Sequence, residues 1–170
     1  MPTLSWVMYD TVIFGTTANV VHTAFVVQQG GAAGKGKEIT NMIGPGELPA
    51  QNSMEINRIG VSHHDGLVLA DIEDIWDETY LELFINNQTY FISPLRLLAN
   101  RNGYGGHYSQ AAAADEFVIG LLGDGYELPV SIIVPSGTQF KVEVKQGPVM
   151  AANTNVLISL YGKLTRPQVG

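Results

Sequence analysis

The stretch from residue 80 to residue 92 reads Tyr-Leu-Glu-Leu-Phe-Ile-Asn-Asn-Gln-Thr-Tyr-Phe-Ile and favours a β-hairpin. Its first half alternates with the period of a half-buried strand. The apolar side chains on one side of that strand are those of Leu81, Leu83 and Ile85. Asn86 and Asn87 supply the turn, because asparagine tolerates positive φ. The stretch therefore predicts antiparallel strands with one face in a core.

The same strand-and-turn pattern continues in both directions from this hairpin. Short β-branched or aromatic runs are divided by turn residues, among them 19 glycines and eight prolines. The other predicted strands are 4–14, 20–28, 54–61, 117–122, 129–134, 140–145 and 156–161. In the strand 129–134, the alternation predicts one shared face for Val130, Ile132 and Val134. The apolar parity changes between Ile56 and Ile59, which indicates a bulge or a strand buried on both faces.

Helical patterning is scarce. Ser93 and Pro94 are a favoured N-cap and first helical residue, so one short helix is expected near 94–99. Ile72, Ile75 and Trp76 are spaced as on one helical face, which suggests a short helical turn with its acids outward.

These features predict an all-β fold: one sandwich or jelly roll of about eight to ten antiparallel strands. The chain has 170 residues and no internal repeat or linker, so a single domain over 1–170 is expected.

The charge content is low. Charged residues make up 15% of the chain, below the roughly 25% of a typical soluble domain. Such a surface suits burial against other subunits, although a neutral polar surface is an alternative. The net charge is −7 and the basic residues are scattered, so no direct contact with nucleic acid is expected. No apolar stretch is long enough for a membrane span.

Two segments with little regular pattern are expected to make contacts. Residues 29–37 are glycine-rich, carry Lys35 and Lys37, and predict a flexible loop or arm. They lack the spacing of a phosphate-binding loop. Residues 100–114 predict a long loop that presents Tyr104, His107 and Tyr108. With Trp76, these are the candidate interface or ligand contacts. Trp6, Trp76, Tyr104 and Tyr108 are also candidates for stacking on sugars, although aromatic residues are ordinary core or interface anchors as well.

Metal binding and catalysis have weak support. His63 and His64 are adjacent, so on a strand they point to opposite faces and do not readily share one metal ion. The acidic segment 71–78 lacks the spacing of an EF-hand loop. Whether either feature binds a metal is left open, and no cofactor is expected. No nucleophile motif occurs, and nothing selects a catalytic carboxylate pair, so no enzymatic activity is expected.

The order of features resembles that of a known class of protein. A Gly-Pro-Gly-Glu-Leu-Pro turn (44–49) leads into the strand Met-Glu-Ile-Asn-Arg-Ile (54–59). Tyr-Phe-Ile-Ser-Pro-Leu (90–95) then leads into the short helix. The last parts are Ile-Val-Pro-Ser-Gly-Thr-Gln-Phe-Lys-Val (133–142) and a closing strand that continues to Pro167. This layout resembles the single jelly-roll capsid, or capsid-associated, structural proteins of tailless icosahedral bacteriophages.

The resemblance implies a virion structural protein, either a capsid subunit or a decoration or minor capsid protein. Its partners would be further copies of itself and other capsid proteins. It would be made in the host cytoplasm and reside in the virion. The resemblance implies no catalytic residues. The alternative is a carbohydrate- or receptor-binding β-sandwich module of a phage or bacterium.

Overall fold

The computed structural model describes residues 3–30, 35–63, 67–108, 117–120 and 123–166. Strands account for most of these residues. The elements in chain order are β1 (Thr3–Phe14), β2 (Val21–Ala24), β3 (Ser53–His63), α1 (Leu69–Asp77), β4 (Tyr80–Ile85), β5 (Gln88–Pro94), α2 (Leu95–Leu98), a 3-10 turn (Ala99–Asn102), β6 (Tyr104–Tyr108), β7 (Phe117–Gly120), β8 (Tyr126–Val134), β9 (Phe140–Lys145) and β10 (Thr154–Thr165).

Two four-stranded sheets form the body of the fold. We call them sheet A, in the order β1-β10-β3-β8, and sheet B, in the order β2-β9-β4-β5. Every pair of neighbouring strands is antiparallel. The chain passes repeatedly between the sheets, as it does in a jelly roll. The predicted all-β sandwich is confirmed, and β6 and β7 form a separate two-stranded ribbon.

The core lies between the two sheets and follows the predicted alternation. In β4, the side chains at 81, 83 and 85 are buried, and those at 140, 142 and 144 of the neighbouring β9 are buried beside them. Sheet A contributes Val156, Ile158 and Leu160, each fully buried in β10. One continuous apolar cluster joins both sheets and the two helices. Since period-two alternation places every second side chain on one face, the pattern was sufficient to identify these core positions.

The predicted hairpin is also confirmed. β4 pairs with β5 through a two-residue turn at Asn86 and Asn87, whose φ angles are 49° and 60°. Two successive positive φ angles are characteristic of the turn whose twist matches that of antiparallel strands.

A bulge confirms the parity change in β3 and corrects the prediction for β8. Ile56 pairs with Ile132, but Arg58 pairs with Glu127, so Asn57 alone faces residues 128–131. The extra residues break the alternation. The sequence predicted that Val130 shares the buried face of Ile132 and Val134. This prediction is wrong, because Val130 is 77% exposed.

The helices agree with the sequence in part. α1 buries Ile72, Ile75 and Trp76 as predicted. The expectation that its acids all face outward is wrong for Asp71, which is buried. Its Oδ1 accepts a hydrogen bond from the Ala151 amide at 2.9 Å, which compensates for the loss of water. α2 lies within the predicted range 94–99.

Ser93 is not an N-cap, and the predicted loop at 100–114 is partly ordered. Ser93 pairs with Leu81 in the hairpin, and α2 begins after Pro94 without a side-chain cap. Of the loop, residues 100–102 belong to the 3-10 turn and 104–108 to β6. Residues 109–114 lie outside the described ranges.

Candidate assembly surface

One end of the sandwich is formed by the last strand of each sheet, β5 and β8. Phe91 of β5 and Tyr126 of β8 hold the two edges together, with ring centroids 6.1 Å apart. Beside this contact lies a groove of about 640 Å³, which we call the β5/β8 groove. It is lined by Tyr90, Phe91, Leu128, Pro129, Val130, Ser131, Ile132 and Ile133.

The β5/β8 groove is apolar and carries no charged side chain among its lining residues. Val130 and Ile133 are 77% and 62% exposed, and Tyr90 is about half exposed. Ile92, on the same strand as Tyr90, is also exposed. Large apolar side chains exposed singly need no explanation, but a contiguous group marks a site of interaction.

The backbone edges beside this groove are open on one side, because no strand of the described chain pairs with the outer side of β5 or β8. Free strand edges can accept a strand from another molecule. Pro129 has no N–H group, so it cannot donate to such a ladder. Side-chain packing into the groove is therefore better supported than a continuous added strand.

A second groove lies at the other end of the sandwich, where β1 and β2 are the edge strands. Its volume is about 470 Å³, and we call it the β1/β2 groove. Ile13 and Val21 are exposed in it, and Lys35 also lines it. The two ends of the sandwich thus each present an apolar recess.

Trp76 and Tyr104, two of the residues predicted to make contacts, lie in the interior. Trp76 is 1% exposed and Tyr104 is 7% exposed. Their rings are stacked, with centroids 5.4 Å apart and planes inclined by 6°. Burial, and then the charges of Asp77 and Glu73, raise the pKa of Tyr104 above its ordinary value. This burial counts against sugar stacking or surface contacts by either ring.

Lys35 makes specific internal contacts. Its Nζ donates to Asp10 Oδ1 at 2.7 Å and to the Thr11 carbonyl at 2.6 Å. Asp10 is fully buried and also accepts the backbone N–H groups of Thr11 and Phe25. The second predicted lysine, Lys37, is exposed, and its carbonyl accepts the Tyr9 hydroxyl. The structure therefore attaches the C-terminal end of the glycine-rich segment to β1, while residues 31–34 lie outside the described ranges.

The other predicted contact residues, His107 and Tyr108, lie in β6 and pair with Val118 and Phe117 of β7. Their role in contacts stays a prediction.

Within the described residues, no group of three histidine or acidic side chains is arranged to hold a metal ion. His63 instead lies edge-on to Trp76, with ring centroids 6.3 Å apart. His64 lies outside the described ranges. Burial, followed by the charges of Glu78, Asp71 and Glu73, raises the pKa of Asp74 above its ordinary value.

Comparison with known proteins gave no relative: no family model, no curated protein and no solved structure matched the chain. None of the helices within the described ranges has the length and apolar character needed to cross a membrane.

Sequence reasoning missed the residues that form the β5/β8 groove. Alternation in β5 assigns Phe91 to the core and leaves Tyr90 and Ile92 on the opposite, exposed face. Apolar residues on both faces of a single strand were therefore a usable signal of an exposed apolar surface. The exposure of Val130 could not be found in this way, because it depends on the pairing of β8 with β3.

Proposed function

We propose that this protein is a virion structural protein, a capsid subunit or a decoration or minor capsid protein, that acts by self-assembly and by contacts with other capsid proteins. It would be made in the host cytoplasm and reside in the virion. The observation that carries the proposal is the uncharged, apolar β5/β8 groove at an open end of a jelly roll.

The chemistry of the groove supports assembly through burial. Burying apolar surface contributes about 25 cal/mol per Å² before the costs of association are subtracted. The lining residues of the β5/β8 groove carry no charge, so this side of a contact requires no ion to be desolvated. This matters for a chain with a net charge of −7, because copies would repel one another at a charged surface.

The position of the two grooves supports a particular mode of contact. They lie at opposite ends of the sandwich, so the β5/β8 groove of one copy can meet the β1/β2 groove of the next. A contact between two different surfaces is head-to-tail, and it generates closed rings or open chains according to the rotation between copies. Shells are built from such repeated contacts.

The test is the mass of the purified protein across a concentration range, measured by light scattering after size exclusion. We expect discrete oligomers or larger particles that grow with concentration. Val130→Asp and Ile133→Asp each place a charge in the groove and should shift the protein towards the monomer. Leu97→Asp is the matched control, because Leu97 is 69% exposed but does not line either groove.

A wild-type chain that stays monomeric at every concentration would count against self-assembly. Oligomers that form equally well with Val130→Asp, Ile133→Asp and Leu97→Asp would locate the contact elsewhere. Electron microscopy of the assembled fraction would then distinguish regular rings or shells from irregular aggregates.

A further inference from the structure

A third recess lies between the first half of β1, the C-terminal end of β10 and the segment 41–52. It is a cavity of about 290 Å³. Its walls are largely apolar, and the buried side chains among them are Met8, Met42, Leu48 and Leu164. This volume is near the lower end of the range for small-molecule sites.

Arg166 lines this cavity and has no acidic partner within the described residues. Its guanidinium lies over the ring of Trp6, which also lines the cavity, with 5.1 Å from Cζ to the ring centroid. The Nε of Arg166 is buried without a hydrogen-bond partner. Nε is a donor only, so the group that would satisfy it is an acceptor oxygen. If the guanidinium rotated away from the indole ring, Nε and one Nη would point into the cavity as two parallel hydrogen-bond donors, the guanidinium fork.

Asn52 is a second polar residue at this cavity. It is only 8% exposed and lines the cavity. Its backbone N–H donates to the Pro49 carbonyl. Its side-chain amide offers a donor and an acceptor group to a ligand in the cavity.

We propose that this cavity binds a small monocarboxylate with an apolar chain. The guanidinium fork matches the geometry of a carboxylate, which it binds through two parallel hydrogen bonds. The Asn52 amide can donate a further bond to the carboxylate or pair with an adjacent amide group. The methionine, leucine and tryptophan side chains provide the surface for the apolar chain.

The charges around the cavity disfavour a ligand with more than one negative charge. Glu47 is exposed and lines the same cavity, so it would repel a second anionic group. A carboxylate with an apolar chain can be a free fatty acid or the C-terminal apolar residue of a peptide. Hexanoate represents the first source and N-acetyl-leucine the second.

The experiment is a titration of the full chain with hexanoate and with N-acetyl-leucine, monitored by NMR at the Trp6 indole N–H. Trp76 in the core serves as an internal reference. For ligands of this size we expect saturable binding with a Kd of about 1 mM. The ligand that binds more tightly identifies the source. Hexan-1-ol and hexylammonium have a similar chain without the carboxylate, and they should bind at least about fivefold more weakly.

Arg166→Gln and Asn52→Ala should each weaken binding about tenfold, whereas Arg96→Gln, at an exposed arginine, should leave it unchanged. Arg166→Lys keeps the charge but loses the fork, and it should bind with intermediate affinity. Thermal unfolding of each variant identifies any that is not folded. If Arg166→Gln does not fold, Arg166→Lys replaces it in the comparison.

Absence of saturable binding by wild type, or equal binding of hexan-1-ol and hexanoate, would overturn the proposal. This result does not depend on the oligomeric state, so it is independent of the assembly proposal.

Discussion

The Nζ of Lys35 lies 2.7 Å from Oδ1 of Asp10, a carboxylate with no exposed surface. The same carboxylate accepts the amide of Phe25, whose φ of 69° is unusual for a bulky residue. Three parts of the chain therefore depend on one buried charge: β1, the turn at Phe25 and the segment that carries Lys35.

We expect Lys35→Met to lower the free energy of unfolding by about 2–4 kcal/mol, because it leaves the Asp10 charge buried without its cation. Urea denaturation measures this. Lys37→Met, two residues away at an exposed position, should change stability by less than about 0.5 kcal/mol. The double variant Asp10→Asn with Lys35→Met should lose less than the sum of the two single losses. Additive losses would show that the two side chains do not act as a pair.

The raised pKa of Asp74 predicts a pH dependence of stability. The folded state holds a proton on Asp74 at a pH where the unfolded chain has released it, so this group makes stability fall as pH rises above about 3.9. At pH 7 the ionised carboxylate opposes folding, first because burial disfavours its charge and then because its acidic neighbours repel it. Asp74→Asn should therefore raise the free energy of unfolding by about 0.2–0.5 kcal/mol. The difference should disappear near pH 3.

The matched control for Asp74 is Glu127→Gln, an exposed acid on β8. Denaturation curves of both variants and wild type at pH 3 and pH 7 provide the comparison. A gain from Asp74→Asn that is equally large at pH 3 would mean that its origin is not the charge.

Gly162 marks the register shift between β10 and β3. A Cβ atom added there would meet the Glu55 carbonyl oxygen at 1.8 Å, so the two strands would have to separate. Gly162→Ala should therefore destabilise the protein by about 3 kcal/mol or more. Gly44→Ala is the control, because its nearest atom would be at an ordinary 3.6 Å. Thermal unfolding of the two variants compares them, and similar midpoints would contradict the strand contact.

The hairpin turn gives a prediction based on backbone conformation. Asn87 has a φ of 60°, which costs a β-branched residue about 1–2 kcal/mol. Asn87→Val should lose this amount in urea denaturation. Asn87→Gly should retain wild-type stability, because glycine adopts positive φ without strain. If the valine variant were as stable as the glycine variant, the turn would have to adopt another conformation.

The core was predictable from sequence because it depends on local alternation. In β4 and β9, every second side chain is apolar and every one of these is buried. Neighbouring strands were not needed to assign these faces. The hairpin turn was predictable for a similar reason, since the preference of asparagine for positive φ belongs to the residue itself.

The surfaces were not predictable in the same way, because they depend on contacts between distant residues. Trp76 and Tyr104 appeared suited to surface contacts, but each covers the other in the interior. The exposure of Val130 results from a bulge that involves a strand about 70 residues earlier in the chain. Periodicity within one strand contains no information about such pairings.

The pairing of β1 with β10 also governs how the protein can be synthesised. Thr3 lies opposite Thr165, and twelve residues of β1 are matched in order to β10. β10 also separates β1 from β3, so until β10 has been synthesised β1 lacks its partner in sheet A and β3 has only β8 beside it. Sheet A is therefore completed only after β10 has left the ribosome, and such distant pairing makes folding slow. Until then the apolar face of β1 remains uncovered in the nascent chain, and an uncovered apolar strand of this kind is prone to aggregate.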